Sequence, residues 1–469
     1  MARVVVFVCD GLRPDRIVPS RMPNLSALRD RGVWFRNSRT VFPSETRVAA
    51  ASFVTGSQPG MHGIVANDFF DPALFPGRAL ATADAGDLAR IAELRGRLLA
   101  TPTLAERIAA VGKRYAAVST ASPGTSRILA DGAMRGDAAF WSIHPDLQYP
   151  ASLAAEIADA CGPVPAPALP RSDTIAYAAR AMCEHVLPKS NPDLAVFWAN
   201  EPDTSYHYCG IGSPEAAAAE AAVDDALGKV IEAAGDAVVI VLSDHGHITG
   251  SSKIDVLELI RAGGFKIADG PPADGEFLVI PGSASFVYAR GSVTERDALA
   301  RWLAREPWCD AVFARGAGLA ELGIDGPGAP DLVFTLAASD ETDTHGNRGT
   351  CLFDADLPLG GGIHGGLHPR ELANVLVVSG GPFRRGAVCE APAGLVDAAP
   401  TVAYLLGLDA TGFAGRILVE AIGGPEPVWQ NLETPLAAGR GSRALQRTKC
   451  ENVAYIDGLT PTNLEKERA

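Results

Sequence analysis

The stretch Val4-Val5-Val6-Phe7-Val8-Cys9-Asp10-Gly11 decides the fold, because it is an apolar, β-branched run that ends in a carboxylate and a glycine. A run of this kind predicts a strand that is buried on both faces of a sheet. Comparable runs recur along the chain and alternate with segments of helical pattern. The predicted strands lie at 4–9, 115–119, 194–199, 237–242 and 374–378, and the predicted helices at 22–31, 46–55, 102–112, 171–186, 213–234 and 395–406. This alternation predicts an α/β fold with a mostly parallel central sheet between helices.

Composition narrows the class of protein. The chain has 469 residues, 47% of them hydrophobic and 20% charged, which excludes a disordered or fibrous protein. No run approaches the roughly 18 apolar residues of a membrane-spanning helix. The formal charge of -14 disfavours a nucleic acid polymer or an anionic membrane as the main partner. The eight cysteines are scattered, and the chain opens on a strand rather than on an export signal, so we expect free thiols and a cytoplasmic location.

The stretch from 250 to 349 differs from the rest of the chain. Strand-like pieces flank a predicted helix at 294–305, and Gly/Pro/Asp-rich segments separate them. We therefore predict an inserted α+β cap at 250–349, a catalytic core formed by 1–249 and 350–424, and a C-terminal extension at 425–469.

Carboxylates and histidines gather at the predicted strand ends and in one later loop. They are Asp10, Asp203 with His207, the run Asp244-His245-Gly246-His247, and His364. An open parallel sheet binds ligands at the carboxyl ends of its strands, so we expect these side chains to meet. A mixed Asp/His set suits Zn²⁺ or another borderline divalent ion. The set is too large for one tetrahedral site and about right for two metal ions, which can clamp the attacking and leaving oxygens of a phosphoryl transfer.

The candidate nucleophile is Thr46, which a proline turn delivers to the start of the alanine-rich helix at 46–55. The N-terminus of a helix offers free N–H groups and favours an anion. A threonine hydroxyl is a weak nucleophile that metal coordination would activate. Ser44 is the competing hydroxyl in the same turn. Downstream, Asn67 could bring an amide donor to a phosphoryl oxygen without adding charge.

These motifs, in this order, resemble the alkaline phosphatase superfamily and most closely its nucleotide pyrophosphatase/phosphodiesterase branch. The matching pieces are Cys9-Asp10-Gly11, Met22-Pro23-Asn24-Leu25, Pro43-Ser44-Glu45-Thr46, Val54-Thr55-Gly56, His62-Gly63-Ile64, Glu201-Pro202-Asp203 with His207, Ser243-Asp244-His245-Gly246 and Ile363-His364-Gly365. The resemblance implies an alkaline-phosphatase-like core with two divalent metals, Zn²⁺ first and Mn²⁺ as the alternative. It places one metal on Asp10, Thr46, Asp244 and His245, and the other on Asp203, His207 and His364. It also implies that Thr46 is the phosphorylated nucleophile and that Asn67 contacts the oxyanion.

Two departures from the branch lie beside the predicted site. Arg47 stands where the branch usually has phenylalanine, and His247 stands where it usually has methionine. We interpret both as candidate substrate contacts, with a packed ring as the other interpretation of His247. Both departures bear on the choice of substrate rather than on the metal chemistry.

The predicted function is a metal-dependent phosphodiesterase or nucleotide pyrophosphatase that acts on a small phosphorylated substrate through a phospho-threonine. A phosphonate or phosphate monoester hydrolase of the same superfamily is the alternative within enzymes. A silent relative that only binds a phosphorylated ligand is the alternative outside them. No membrane or nucleic acid polymer is expected as a partner, and assembly into a homo-oligomer is left open.

Overall fold

A computed structural model of the chain describes residues 3–133, 137–290, 293–436 and 443–461. Its centre is an eight-stranded sheet with the order β8-β2-β7-β6-β1-β5-β3-β4. The strands are β1 (Val4–Cys9), β2 (Val33–Phe35), β3 (Tyr115–Ser119), β4 (Ala138–Ser142), β5 (Leu194–Ala199), β6 (Val238–Leu242), β7 (Leu376–Ser379) and β8 (Ala387–Cys389). The sheet is parallel except at β7, which runs antiparallel to both of its neighbours, β6 and β2.

The opening strand lies at the centre of this sheet and is buried on both faces. β1 pairs in parallel with β5 on one side and with β6 on the other. Val4, Val6 and Val8 pack into one hydrophobic cluster, whereas Val5 and Phe7 pack into a second cluster on the opposite face. Alternate residues of a strand point to opposite faces, so a continuous apolar run is what a doubly covered strand requires.

Helices cover both faces of the sheet. Four of them carry labels below: α1 (Pro23–Arg31), α2 (Thr46–Thr55), α3 (Asp203–Cys209) and α4 (Pro214–Ala234). The other α-helices are Pro59–His62, Ala85–Arg95, Leu104–Ala110, Pro123–Leu129, Leu153–Cys161, Ser172–Arg180, Leu187–Ser190, Val256–Ala262, Val293–Leu303, Ala317–Glu321, Pro369–Leu372 and Ala398–Leu405. Within the described residues, no helix combines the length and the apolar character that crossing a lipid bilayer requires.

The predicted cap region contains a five-stranded sheet with a helix pair. The strands, in spatial order, are Lys266–Ile267, Glu276–Ile280, Ala284–Arg290, Leu332–Leu336 and Cys309–Ala314. One face of this sheet forms its own cluster with Val256–Ala262 and Val293–Leu303. The other face, through Phe286 and Phe313, belongs to the same cluster as the central sheet. The hydrophobic core is therefore continuous between the two sheets, and the proposed division into core and cap stays a prediction.

A four-stranded sheet crosses the predicted limits of the cap. It is formed by Ala338–Thr342, Arg348–Phe353, Ile248–Lys253 and Gly362–Ile363, in that order. Residues 250 and 349 fall inside two of these strands, which pair with each other in parallel. His247 directly precedes the strand Ile248–Lys253, and His364 directly follows the strand Gly362–Ile363. These two strands pair with each other, so the sheet brings two histidines that are distant in the chain to one place.

The C-terminal segment packs against the core. Three antiparallel strands, Trp429–Leu436, Arg443–Cys450 and Val453–Pro461, form a separate sheet, while residues 462–469 lie outside the described residues. Two short pairs complete the strands, Ser38–Arg39 with Ala393–Gly394 and Asp68–Phe69 with Leu80–Ala81. The buried Tyr455 ties the C-terminal sheet to Asp397 of the core through a 2.7 Å hydrogen bond.

Candidate active site

The carboxyl ends of β1, β5 and β6 bring the predicted carboxylates together. Asp10 follows β1 directly, Asp244 follows β6, and Asp203 begins α3 after β5. Gly11 has a φ of +70°, and its N–H donates a 2.9 Å hydrogen bond to Asp244 Oδ1. The turn at Gly11 therefore links the ends of two neighbouring strands at the edge where an open parallel sheet binds ligands.

The first cluster consists of Asp10, Thr46, Asp244 and His245. Thr46 Oγ1 lies 3.2 Å from His245 Nε2 and 3.5 Å from Asp10 Oδ1. His245 Nε2 lies 3.4 Å from Asp244 Oδ2 and 3.6 Å from Asp10 Oδ1. One donor atom of each side chain therefore faces a common point.

The second cluster consists of Asp203, His207, His247 and His364. Asp203 Oδ1 lies 3.2 Å from His207 Nε2, 3.2 Å from His247 Nε2 and 3.5 Å from His364 Nε2. The Nε2 atoms of His207 and His364 are 3.2 Å apart. Asp203 and His207 share one side of α3 because they are four residues apart.

The ring orientation of all four histidines is set by backbone carbonyls. Each Nδ1 lies against a carbonyl oxygen, and since a carbonyl only accepts, each Nδ1 must donate. The pairs are His207 with Gly362 at 2.6 Å, His364 with Ser44 at 2.7 Å, His247 with Gly11 at 2.9 Å and His245 with Gly246 at 3.1 Å. In the neutral rings, each Nε2 is then a bare lone pair that faces its cluster, which is the tautomer that metal ligation requires.

Three atoms in these clusters that could coordinate a metal ion lack a hydrogen-bond partner among the described residues. They are Asp203 Oδ1, Asp244 Oδ2 and His247 Nε2, all of them buried. Lone pairs that face one another at 3.2–3.6 Å repel unless a cation lies between them. Four ligands around a tetrahedral Zn²⁺, with bonds of about 2.0–2.1 Å, lie roughly 3.3 Å apart. The residues present therefore fit one divalent ion in each cluster.

Electrostatics also favours positive charge here. Burial raises the pKa of Asp10 well above its usual value, and the charges of Asp244 and Asp203 raise it further. Burial alone would raise the pKa of Asp203 too, but interactions with His207 and His247 bring it well below its usual value. Three carboxylates share this small volume, Asp10 and Asp244 buried and Asp203 half-buried, and cations would offset the cost of removing them from water.

Thr46 lies at the first position of α2, in the first cluster. Its hydroxyl is within reach of Asp10 and His245, and the first turn of a helix leaves N–H groups without intrahelical partners. Ser44 is engaged elsewhere, because its Oγ accepts from Gly365 N–H at 2.9 Å and contacts the Gly366 carbonyl at 3.3 Å. Of the two hydroxyls in this turn, that of Thr46 therefore lies in the first cluster and that of Ser44 does not.

The other three predicted site residues, Asn67, Arg47 and His247, lie in different surroundings. The Asn67 N–H donates to the Glu45 carboxylate, and Asn67 Oδ1 is buried without a partner among the described residues. Its oxyanion role stays a prediction. Arg47 lies beside the first cluster and donates from Nε to Thr82 Oγ1 at 2.8 Å. His247, interpreted from sequence as a substrate contact or a packed ring, is fully buried inside the second cluster.

Two residues outside the predicted set orient the site. Trp198 Nε1 donates to Asp10 Oδ2 at 3.1 Å from the neighbouring strand β5, and no sequence signal distinguishes it from an ordinary core tryptophan. Glu45 precedes the predicted nucleophile and holds the Asn67 backbone. Burial raises the pKa of Glu45 to about 7. The position of Glu45 directly before Thr46 is the feature of the sequence that could have pointed to it.

Comparison with known families agrees with this geometry. The profile described as type I phosphodiesterase / nucleotide pyrophosphatase matches residues 4–300, more than half of the chain. The chain belongs to this family. The resemblance inferred from the ordered motifs is thereby confirmed at the level of the family.

Individual relatives match over a short segment. An uncharacterized pyrophosphatase/phosphodiesterase of Schizosaccharomyces pombe is 42% identical over 69 residues, 15% of this chain and 14% of the relative. The venom phosphodiesterase of Macrovipera lebetinus is 34% identical over 73 residues, 15% of this chain and 9% of the relative. The Rattus norvegicus ectonucleotide pyrophosphatase/phosphodiesterase family member 1 is 33% identical over 72 residues, 15% of this chain and 8% of the relative. These matches span less than a sixth of each relative.

Solved structures match over almost the whole chain. Murine ectonucleotide pyrophosphatase / phosphodiesterase 5 has a TM-score of 0.63 at 18% identity, covering 90% of this chain and 99% of that chain. The human protein of the same name has a TM-score of 0.62 at 16% identity, covering 88% and 97%. The predicted α/β, alkaline-phosphatase-like fold is therefore confirmed.

Proposed function

We propose that this chain is a metal-dependent hydrolase of phosphoric diester or phosphoanhydride bonds, with Thr46 as the nucleophile. The observation that carries the proposal is the convergence of eight side chains on two points, with the Thr46 hydroxyl in one of the two sets. Family membership supports the reaction class. Zn²⁺ is the metal that best suits the Asp/His donor sets, with Mn²⁺ as the alternative.

Each of the two metal ions would be held by four residues. Asp10, Thr46, Asp244 and His245 would hold one ion, and Asp203, His207, His247 and His364 the other. When bound, divalent ions supply Lewis-acid stabilisation of the phosphoryl oxygens and lower the pKa of a coordinated hydroxyl.

The chain's own groups then direct the reaction. Thr46 Oγ1 attacks phosphorus, the new Oγ–P bond forms, and the bond to the leaving oxygen breaks. The hydroxyl proton leaves to water in the cavity, because Asp10 Oδ1, 3.5 Å from Thr46 Oγ1, is assigned to the ion. Water then cleaves the phospho-threonine and restores the hydroxyl. The N–H groups of the first turn of α2, together with Asn67, stabilise charge on the non-bridging oxygens.

Replacing the nucleophile tests the proposal directly. Thr46→Ala should lower kcat on bis-p-nitrophenyl phosphate by about a thousandfold or more, because the attacking oxygen is gone. Metal content, measured by elemental analysis, should fall little, since the other seven ligands stay. Thr46→Ser should retain far more activity than Thr46→Ala. The matched control is Thr55→Ala on the same helix, whose hydroxyl only bonds back to Ala51 O at 2.6 Å. Wild-type activity in Thr46→Ala would refute the assignment.

The class of ester has its own test. A neutral Asn67 suits a singly charged diester better than a dianionic monoester, so bis-p-nitrophenyl phosphate should be turned over faster than p-nitrophenyl phosphate. A faster monoester would replace the diesterase proposal with a phosphatase one. Loss of turnover on chelation, with recovery on adding Zn²⁺ or Mn²⁺, would exclude the silent binding relative.

A further inference from the structure

A cavity of about 310 Å³ opens directly onto the two candidate metal clusters. Its wall includes Asp10 and Thr46 of the first cluster and Asp203 of the second. Any group attached to a phosphorus atom held between the clusters can therefore extend into this cavity. The residues that line the cavity therefore help to decide which substrates can bind. The proposed function names the bond that is cleaved but not the rest of the substrate.

Two guanidinium groups line this cavity with most of their donors unused. Arg47 donates only from Nε, to Thr82 Oγ1. The side chain of Arg171 makes no hydrogen bond within the described ranges, and its Nε is buried there without a partner. Neither arginine forms an ion pair with a carboxylate of the described residues, although Glu45, Asp68, Asp10 and Asp203 all lie near enough to act on Arg47 electrostatically.

The arginines that are buried most deeply among the described residues, Arg13, Arg16 and Arg416, each pair with a carboxylate. Arg16 pairs with Glu220 at 2.7 Å, and Arg416 pairs with Glu420 at 2.6 Å. The buried Nε of Arg171 forgoes both water and a partner, which is costly. Two guanidinium groups with free donors on one cavity wall match the planar, bidentate recognition of a carboxylate or phosphate.

The rest of the lining is polar and compact. Hydroxyl and amide groups come from Thr120, Ser122, Thr125, Asn200 and Thr204. The described residues of the lining include no Phe, Tyr or Trp, and His144 supplies the one aromatic ring among them. The surroundings suit a small, charged, strongly hydrogen-bonding group.

We infer that this cavity binds a second anionic group of the substrate, a carboxylate or a further phosphate, through Arg47 and Arg171. The inference rests on the proposed function, since it assumes that a phosphoryl group lies at the clusters. It narrows the substrate class to small phosphoric esters or anhydrides that carry an additional negative charge outside the reacting phosphoryl group. The two carboxylates that also line the cavity, Asp10 and Asp203, are assigned to the metal ions, which leaves the charges of Arg47 and Arg171 for an anionic substrate.

Symmetrical diesters test this inference, because they present the same group in either orientation. Bis(4-carboxyphenyl) phosphate and bis(4-carbamoylphenyl) phosphate differ only in the charge on the ring substituent. Wild type should prefer the carboxylate by about tenfold or more in kcat/KM, the range of a charge-assisted hydrogen bond. Diphenyl diphosphate against diphenyl phosphate forms a second pair, in which the extra anion is a phosphate. Comparing each variant with wild type cancels the intrinsic reactivity of the compounds.

Arg47→Met and Arg171→Met should each reduce the preference for the charged member of a pair by about tenfold. Arg47→Lys should restore part of it, because the charge returns without the planar fork. Arg180→Met, an exposed position outside the cavity, should leave the preference unchanged. If the Met variants lose the preference only for the carboxylate compound, the bound anion is a carboxylate. If they lose it only for the diphosphate compound, the bound anion is a phosphate. A preference that is equal in wild type and both Met variants, for both pairs, overturns the inference while the proposed function stands.

A binding measurement separates the two proposals. Calorimetry with Thr46→Ala, which cannot turn substrate over by the proposed route, gives Kd values for the same two diesters. If wild type hydrolyses neither compound but Thr46→Ala binds the carboxylate more tightly than the carboxamide, and Arg171→Met in that background removes the difference, the cavity inference stands and the proposed function fails. Equal Kd values for the two diesters overturn the inference.

Discussion

At the scale of single residues, His247 lies inside the second cluster, whereas its sequence interpretations are a substrate contact and a packed ring. Its Nδ1 donates to the Gly11 carbonyl, its ring lies edge-on to Tyr206 at a centroid distance of 5.2 Å, and its Nε2 faces Asp203. A Cβ on Gly11 would lie 2.3 Å from His247 Cε1, so glycine at that position makes room for the ring. A side chain held this firmly and fully buried suits a ligand better than a substrate contact.

We therefore predict that His247→Leu weakens metal binding at the second cluster. The change removes one of four converging donors and leaves Asp203, His207 and His364 in place, so affinity should fall by about tenfold or more. Competition titration with a chromogenic chelator would show one of two bound ions released at lower chelator concentration than in wild type.

The control is His345→Leu, a change at an exposed histidine outside both clusters. It should leave both binding steps unchanged. If His247→Leu also binds two ions with wild-type affinity, His247 is a packed ring and the second site has three protein ligands.

At the scale of the elements, the first helix depends on a residue of another helix. The N–H groups of Asn24 and Leu25, in the first turn of α1, donate to the two carboxylate oxygens of Asp224 on α4, both at 2.8 Å. Asp224 is buried, and the cap residue Met22 makes no side-chain capping bond. One carboxylate thus satisfies two helix-end donors and complements the positive end of the α1 dipole.

We predict that Asp224→Ala destabilises the fold by about 2–3 kcal/mol, because the buried N–H of Leu25 and the half-buried N–H of Asn24 lose their acceptor. Urea unfolding at pH 7, compared with wild type, measures the change. Asp225→Ala is the matched control, since Asp225 is the adjacent, exposed residue of the same helix. It should change stability by less than about 0.5 kcal/mol. Equal effects of the two substitutions would contradict the role of Asp224 at the N-terminus of α1.

At the scale of the whole molecule, strand and helix patterns predicted the central architecture closely. The predicted helix at 46–55 is observed as Thr46–Thr55, and the predicted strand at 194–199 as Leu194–Ala199. These elements are long, strongly patterned and buried, so local sequence carries their signal. Strand β4, Ala138–Ser142, was missed because its short, mixed run reads as strand only once β3 pairs with it.

The site could be predicted where motifs adjoin strand ends, and only in part elsewhere. Asp10 and Asp244 follow buried strands, so topology alone brings them together. The place of His247 depends on the space left by Gly11, and that of Trp198 on the register between β1 and β5, where Val8 lies beside Trp198. Contacts of this kind join residues far apart in the chain, and no local pattern encodes them.

The C-terminal sheet is attached to the core through a buried carboxylate. Asp397 accepts hydrogen bonds from Tyr455 Oη at 2.7 Å, from Arg416 N–H at 2.8 Å and from Gly394 N–H at 2.8 Å. Burial nevertheless raises the pKa of Asp397 from 3.8 to about 6. The folded state therefore binds this proton more tightly than the unfolded chain does, and the two states differ in protonation between pH 3.8 and about 6.

The sign of the effect follows from that difference. As pH rises from 4 to 7, the folded state must give up a proton that it holds tightly, so this group lowers stability by up to about 3 kcal/mol, the equivalent of roughly two pKa units. Asp397→Asn cannot titrate and escapes this loss. We predict that Asp397→Asn is most destabilised relative to wild type near pH 4, and that the gap narrows by up to about 3 kcal/mol by pH 7. Urea unfolding of both proteins at equal metal load measures the gap. A gap that is the same at both pH values would show that Asp397 titrates normally, and that the C-terminal sheet is attached through a carboxylate that is ionised throughout this range.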